Sequence, residues 1–452
     1  MNKCNDMTSG PTLPLILKFT LPLLFGNLLQ QAYSMVDAAI VGQFLGINPL
    51  AAVGAGSSVI FMIIGFCTGC SNGFGIPVAQ MFGAQNYSSM RRYVYSGLKL
   101  SAWVSVAIAV VACLFCSTIL TTMSTPDVIF DDAYIYLLIT FAGVPATFFY
   151  NQLSSVIRAL GDSKTPFWFL LFSTVLNILL DLFCIVTLGW GVAGAAIATV
   201  FSQALSAVLC YIYMMRRFEI LKSTREERAI SGRHVRTLLS IGLPMGLQFS
   251  ITSIGSIMLQ SSNNALGTTC VAAFTAAMRI KMFFLCPYES LGIAMATFAG
   301  QNYGAGKPER IWQGVKSSGI IAGVYYVFMF IVLMTMSEFL TEFFVEANET
   351  EIIAYSAQFL HVAAWFFPIL AVLCILRYTI QGAGYTNFAM LSGVMEMIAR
   401  AAVSLFAVPV FGYTAVCFGD SMAWVAADLF LVPAFIYVYG RLKKSVSVPL
   451  AR

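Results

Sequence analysis

The sequence predicts an all-α polytopic membrane protein with twelve transmembrane helices in two pseudo-symmetric six-helix lobes. Three observations carry this. Of 452 residues, 59% are apolar and only 10% are charged, where a soluble domain uses about 45–50% and ~25%. So few charges cannot cover a soluble surface of this size, which excludes a cytosolic enzyme, a nucleic-acid module and a disordered scaffold. The apolar residues also run in blocks exceeding the roughly 20 residues that cross hydrocarbon. Finally, basic residues alternate with acidic ones between the blocks, and motifs of the first half recur in the second.

Breaking the hydropathy at Gly, Pro and charge clusters gives spans over 15–43, 50–81, 94–120, 133–158, 166–188, 192–215, 238–262, 270–300, 315–337, 353–380, 388–410 and 414–440. Residues 1–14 are polar and the first apolar block outruns a signal peptide, so span 1 reads as a retained helix. Basic residues collect in the N-terminal segment, near Arg91/Arg92 and Arg158/Lys164, over 216–236 and 307–316, and in the tail from Arg441 to Arg452. The opposite ends carry Asp127, Asp131 and Asp132 after span 3, and Glu338, Glu342, Glu346, Glu349 and Glu351 after span 9. The positive-inside rule then puts both termini in the cytoplasm of a plasma (inner) membrane protein. The net charge of +5 is explained by this placement, with no nucleic-acid partner implied.

The halves repeat. Leu21-Pro22 in span 1 matches Leu243-Pro244 in span 7, and Gly83-Ala84-Gln85-Asn86-Tyr87 after span 2 matches Ala299-Gly300-Gln301-Asn302-Tyr303 after span 8. Ala159-Leu160-Gly161 after span 4 answers Gly382-Ala383-Gly384 after span 10. Six spans per copy, an even number, place both copies in the same orientation about an axis along the membrane normal. The expected division is an N-terminal lobe over 1–215, a cytoplasmic linker over 216–237 and a C-terminal lobe over 238–452. Parallel repeats of this kind flank a binding site at their interface.

Ionisable residues inside hydrocarbon are costly and mark functional candidates. Span 1 presents Gln30, Tyr33 and Asp37 on one stripe, and span 5 presents Ser173, Asn177 and Asp181. Span 4 carries Tyr136, Thr140, Thr147, Asn151, Ser154 and Arg158 at three- or four-residue steps, and span 6 adds Thr199, Gln203 and Ser206. Four polar faces in one lobe can satisfy one another only around a shared interior. Two carboxylates with an amide and a hydroxyl form an all-oxygen set suited to Na+. The same pair can hold a proton instead, because two like charges in one low-dielectric site cannot both persist.

The second lobe does not copy this set: at the repeat offset Asp37 falls on Met258 or Leu259, Asn177 on Arg400 and Asp181 on Ser404. Ion coupling is therefore expected to be asymmetric. That lobe has its own charges: Arg279, Lys281 and Glu289 on span 8, Arg377 on span 10, Glu396 and Arg400 on span 11, and Asp420 and Asp428 on span 12. They either neutralise one another or line a path for a charged substrate, the latter reading resting on Arg279, Lys281 and Glu289. His361 is a lone intramembrane histidine, expected to pack or hydrogen-bond. The CxxC pairs Cys67/Cys70 and Cys113/Cys116 lie inside apolar helices and read as small hydrophobes. Residues 300–307 read GQNYGAGK, which lacks the glycine and the Ser/Thr of a phosphate loop. With no HExxH motif and no nucleophile elbow, no enzyme and no organic cofactor are expected.

The stretch LPLLFGNLLQQAYSMVDAAIVG in span 1, GAQN and GQNYGAGK after spans 2 and 8, and RALGDSKTP after span 4 resemble the MATE family of multidrug and toxic compound extrusion transporters over essentially the whole chain. The resemblance implies a V of two bundles, exchange of Na+ or H+ for organic, often cationic, compounds, and no enzymatic activity. Carried over by position from the DinF-like branch, it implies a cation site at Asp37, Asn177, Asp181 and Thr199, with Tyr33, Tyr136 and Asn151 nearby and Pro22 as the bending point of span 1. The NorM-like branch has a glutamate shortly after the Leu-Pro of span 7, and residues 245–256 here contain no acid. The function expected is therefore efflux driven through the first lobe, by a monomer whose partners are small-molecule substrates and the lipid bilayer. A lipid-linked saccharide flippase, taking an anionic headgroup on Arg279, Lys281 and Arg377, is the alternative.

Overall fold

The computed structural model describes residues 6–447 apart from Ser124; residues 1–5 and the tail beyond Ser447, with the Arg452 expected at its end, lie outside the described residues. Every regular element among them is helical. In chain order these are α1 (Thr12–Leu45), α2 (Ile47–Ala55), α3 (Ser57–Gly83), α4 (Tyr87–Leu114), α5 (Cys116–Thr122), α6 (Asp127–Ala142), α7 (Val144–Ala159) and α8 (Lys164–Leu182). There follow α9 (Gly191–Arg217), α10 (Gly232–Asn264), α11 (Thr268–Gly304), α12 (Pro308–Glu342), α13 (Thr350–Gly382), α14 (Thr386–Ala402), α15 (Val408–Phe411) and α16 (Tyr413–Ser447). Eleven helices are long and apolar enough to cross a membrane, and the pair α6–α7 makes a twelfth span.

That fourth span, expected as one helix over 133–158, is bent by 41° between Ala142 and Val144. Pro145 has no N–H to give the preceding turn, which breaks the ladder. Gly143 sits at the bend because a Cβ there would lie 2.2 Å from Val200 Cγ2 of α9. Two further irregularities lie outside what periodicity predicts: π-helical turns at Phe183–Thr187, following α8, and at Val403–Ala407, following α14. They occupy the fifth span of each repeat, and the first begins two residues after Asp181. Such turns insert a residue, re-aim side chains and concentrate at functional sites.

Packing divides the chain into two compact units, one built on Phe25–Gly246 and the other on Met7–Leu24 together with Leu247 onward. These limits differ from the division expected from chain order, because α1 and α10 each change unit shortly after a proline, Pro22 and Pro244. In the first unit the reason is glycine. Gly69 and Gly73 of α3 meet the opening turns of α10, where a Cβ on Gly69 would lie 2.5 Å from Met245 O and one on Gly73 2.5 Å from Gly242 Cα. Small residues four apart let two backbones approach, the usual adhesive of helices in lipid. In the second unit Met7, Ile16, Phe19 and Leu23 join the main apolar core. Gln301 and Asn302 of the repeated motif hold the backbone of Met7 there: Met7 N–H donates to Gln301 Oε1 at 2.9 Å and Asn302 Nδ2 donates to Met7 O at 3.2 Å.

The segment between α9 and α10 is docked on α4 of the first unit. Arg91 donates from Nε and Nη2 to both oxygens of Glu227, each at 2.7 Å, and Lys99 donates to Arg228 O at 2.6 Å. A two-pronged charge-assisted pair is strong and geometrically specific. The Arg91 hydrogen bonds pull the Glu227 carboxyl down to about 2. A depressed carboxyl pKa contributes stability that is complete above the unfolded value of about 4.3 and is lost as pH falls through the folded one. The docked loop should therefore resist trypsin at Arg228 near neutral pH and be cut several-fold faster in Arg91→Ala. Its amides should stay protected from hydrogen exchange down to about pH 4 and open below it. Equal cleavage of both proteins would show that the pair does not hold the loop.

Candidate functional site

Four helices of the first unit bring oxygen-bearing groups to one place. Helical spacing sets Tyr33 and Asp37 one turn apart on α1 and Asn177 and Asp181 one turn apart on α8, while α9 supplies Thr199 and α6 supplies Tyr136. Asp181 is 0% exposed, Asn177 2%, and Asp37 half-buried. The two carboxyl groups are within hydrogen-bonding reach of each other. Tyr33 Oη lies 3.2 Å from Thr199 Oγ1, and the Asn177 amide is 3.2 Å from the same hydroxyl. In the amide orientation that satisfies both its ends, Asn177 donates to Asp181 Oδ2 at 3.1 Å and to Tyr33 Oη at 2.8 Å, and accepts from Thr199 N–H at 3.0 Å. Tyr136 packs against the apolar cluster of Ile40, Val41, Ile185 and Ala195.

One feature of this cluster is chemically incomplete. Asp37 Oδ1 and Asp181 Oδ1 are buried and accept no hydrogen bond from the described residues. Buried carboxylate oxygens without a donor are strongly unfavourable, and two facing carboxylates need a proton or a cation between them. The surrounding groups, two carboxyls, an amide oxygen and hydroxyls, are the hard oxygen donors that suit Na+, and the same pair suits a proton. Among the described residues, no group of three or more His, Cys, Asp or Glu gathers as a transition metal would require.

The other singled-out residues lie elsewhere. Asn151 donates to Thr68 Oγ1 of α3 at 3.3 Å, and Thr140 bonds back to Tyr136 O of its own helix at 2.8 Å. Pro22 lies within an unbroken α1. His361 shares a hydrogen bond of 2.9 Å with Ser337. In the second unit, Lys281, read either as neutralised or as lining a substrate path with Arg279 and Glu289, is 3% exposed and paired with Asp420. Asp420 also takes Arg400 Nε at 2.8 Å, and Glu396 takes Arg400 Nη1 at 3.4 Å and binds Arg377. The three cations share the two carboxylates in one ion-pair network across α11, α13, α14 and α16, since charges buried in a low-dielectric interior need partners. Arg279 and Glu289 are exposed and join no ion pair among the described residues. Only the Glu396–Arg400 contact, at helical i,i+4 spacing, carried a local signal.

The MatE family model matches residues 22–183 and 244–406, one stretch in each repeat. The chain is 28% identical over 387 residues to the "Probable multidrug resistance protein YpnP" of Bacillus subtilis (strain 168), covering 84% of this chain and 85% of YpnP. It is 30% identical over 378 residues to the "Probable multidrug resistance protein YoeA" of the same strain, covering 81% and 80%. The crystal structure of MATE in complex with MaL6 has the same fold, with a TM-score of 0.90 at 23% identity over 98% of this chain and 100% of that one. A family pattern present twice, at the spacing of the internal repeat, and relatives matched over most of their length leave one assignment: the chain belongs to the MatE family of multidrug and toxic compound extrusion transporters.

Proposed function

We propose that the protein is a secondary active exporter of organic, cationic or amphiphilic compounds, driven by Na+ or H+ entering at Asp37, Asn177, Asp181 and Thr199. The observation that carries this is the facing carboxyl pair with one unpartnered buried oxygen on each side. Filling the pair with a cation or a proton changes both the charge and the packing of α1, with Pro22 as the bending point. Ion and substrate then bias one equilibrium between two states of the transporter, which is what antiport requires. The multidrug resistance named for YpnP and YoeA supports the substrate class. The flippase reading finds no support, because two of the three cations it needs, Lys281 and Arg377, are buried in ion pairs with Asp420 and Glu396.

Ethidium efflux from proteoliposomes under separately imposed sodium and proton gradients tests the reading. One gradient should drive efflux and its collapse should stop it; no flux under either would refute the proposal. The positive-inside rule, applied to the basic loops, supports a cytoplasmic position for the termini and the docked segment of a plasma membrane protein. An introduced cysteine at Glu346 should accordingly react with an impermeant reagent from outside, and one at Arg228 should not.

A further inference from the structure

Several polar residues of the first unit remain unused by the site just described. Gln203 lies one turn beyond Thr199 on α9 and accepts a hydrogen bond from Thr147 Oγ1 of α7. One turn further along α7, Asn151 donates to Thr68 Oγ1 of α3 at 3.3 Å. One turn along α3, Asn72 accepts from Arg158 Nη2 at 2.9 Å, and Arg158 stands in the last turn of α7. The three helices belong to the second, fourth and sixth spans. Even-numbered spans run the same way through a membrane, so each step leads toward the same side, the one that the basic loops assign to the cytoplasm. At 1.5 Å rise per residue the three steps add up to roughly 18 Å, more than half of a ~30 Å hydrocarbon layer.

The same three helices carry buried polar groups that have no partner among the described residues. Gln152 is 0% exposed and neither atom of its amide has a partner among the described residues; the hydroxyls of Ser71 and Ser206 are buried and unpartnered there as well. Serine and threonine inside helices commonly bond their own backbone, as Ser202 and Thr140 do here. These do not. Gly97 of α4 leaves room at the amide, since a Cβ there would lie 3.2 Å from Gln152 Nε2. Buried polar groups without protein partners are the places that ordered water occupies.

We infer that the first unit contains a hydrated polar seam along which the coupling ion passes between the Asp37–Asp181 pair and the cytoplasmic end of the bundle, with the Thr147–Gln203 contact as its checkpoint. The inference rests on the coupling role proposed above and extends it to the ion's route. The carboxyl pair remains the place where the ion is held, because the Arg158 guanidinium at the far end disfavours a resident cation.

Proteoliposomes carrying the full chain test it, with ethidium as substrate and sodium and proton gradients imposed in turn. Thr147→Val and Gln152→Leu keep shape while removing the polar groups. Each should slow gradient-driven efflux about tenfold, equivalent to ~1.4 kcal/mol of barrier. Ethidium affinity, read by fluorescence, should stay put, and Thr147→Ser should regain most of the rate lost in Thr147→Val. Asp37→Asn separates the two ideas. If it retains driven efflux, the coupling site is misassigned. If it abolishes efflux while Thr147→Val and Gln152→Leu run at the wild-type rate, the site stands and the seam is overturned. Loss of ethidium affinity in both seam variants would also overturn it, by making them substrate contacts.

Discussion

Replacing Asp37 or Asp181 with Asn is expected to reduce gradient-driven efflux to the passive background while leaving expression and membrane insertion near wild type. The amide is nearly isosteric and cheaper to bury than a carboxylate, so the fold is not the target. What disappears is the anionic oxygen pair, whose Oδ1 atoms have no partner among the described residues. Coupling between two ligands is a free energy of about 1–3 kcal/mol, or ~5–150-fold in affinity, and it vanishes when one ligand can no longer distinguish the two states. Substrate binding in the absence of a gradient should survive. Initial ethidium efflux rates in proteoliposomes, normalised to reconstituted protein, provide the check. Wild-type rates in either variant would move the coupling site elsewhere.

Removing Glu396 should be among the most destabilising single substitutions in the second unit. Its carboxylate bridges Arg377 and Arg400 at 3% exposure, so Glu396→Ala leaves two buried guanidinium groups short of a counter-charge. Breaking a buried pair from one side costs about 3–5 kcal/mol. Arg377 would keep its hydrogen bond to Ser392, 3.1 Å long. Lys281→Met should cost less, because Asp420 keeps Arg400, and it should leave the range of exported compounds unchanged. Thermal unfolding in detergent, followed alongside a panel of dyes, separates the outcomes. A stable Lys281→Met protein with an altered dye range would return Lys281 to the substrate path.

Much of this protein could be read from the chain because the membrane acts on local windows. Hydrocarbon thickness selects a length of apolar sequence, and the cytoplasmic side selects Lys and Arg, so span number and the repeat needed no tertiary information. Helical periodicity did the same for the stripes: Tyr33 with Asp37, and Asn177 with Asp181, share faces whatever surrounds them. Gly143 and Pro145 marked the bend of the fourth span locally, although its hydropathy ran on unbroken. The pairings between helices were decided only by packing. Lys281 finds Asp420 at 139 positions' distance and Arg91 finds Glu227 at 136, and no window of sequence contains both partners. The same holds for the assignment of Met7–Leu24 to the second unit, where Gln301 and Asn302 receive a segment from the other end of the chain. Hydrophobicity and periodicity say which face of a helix is polar; which group on another helix satisfies it depends on close packing, and that is a property of the folded chain alone.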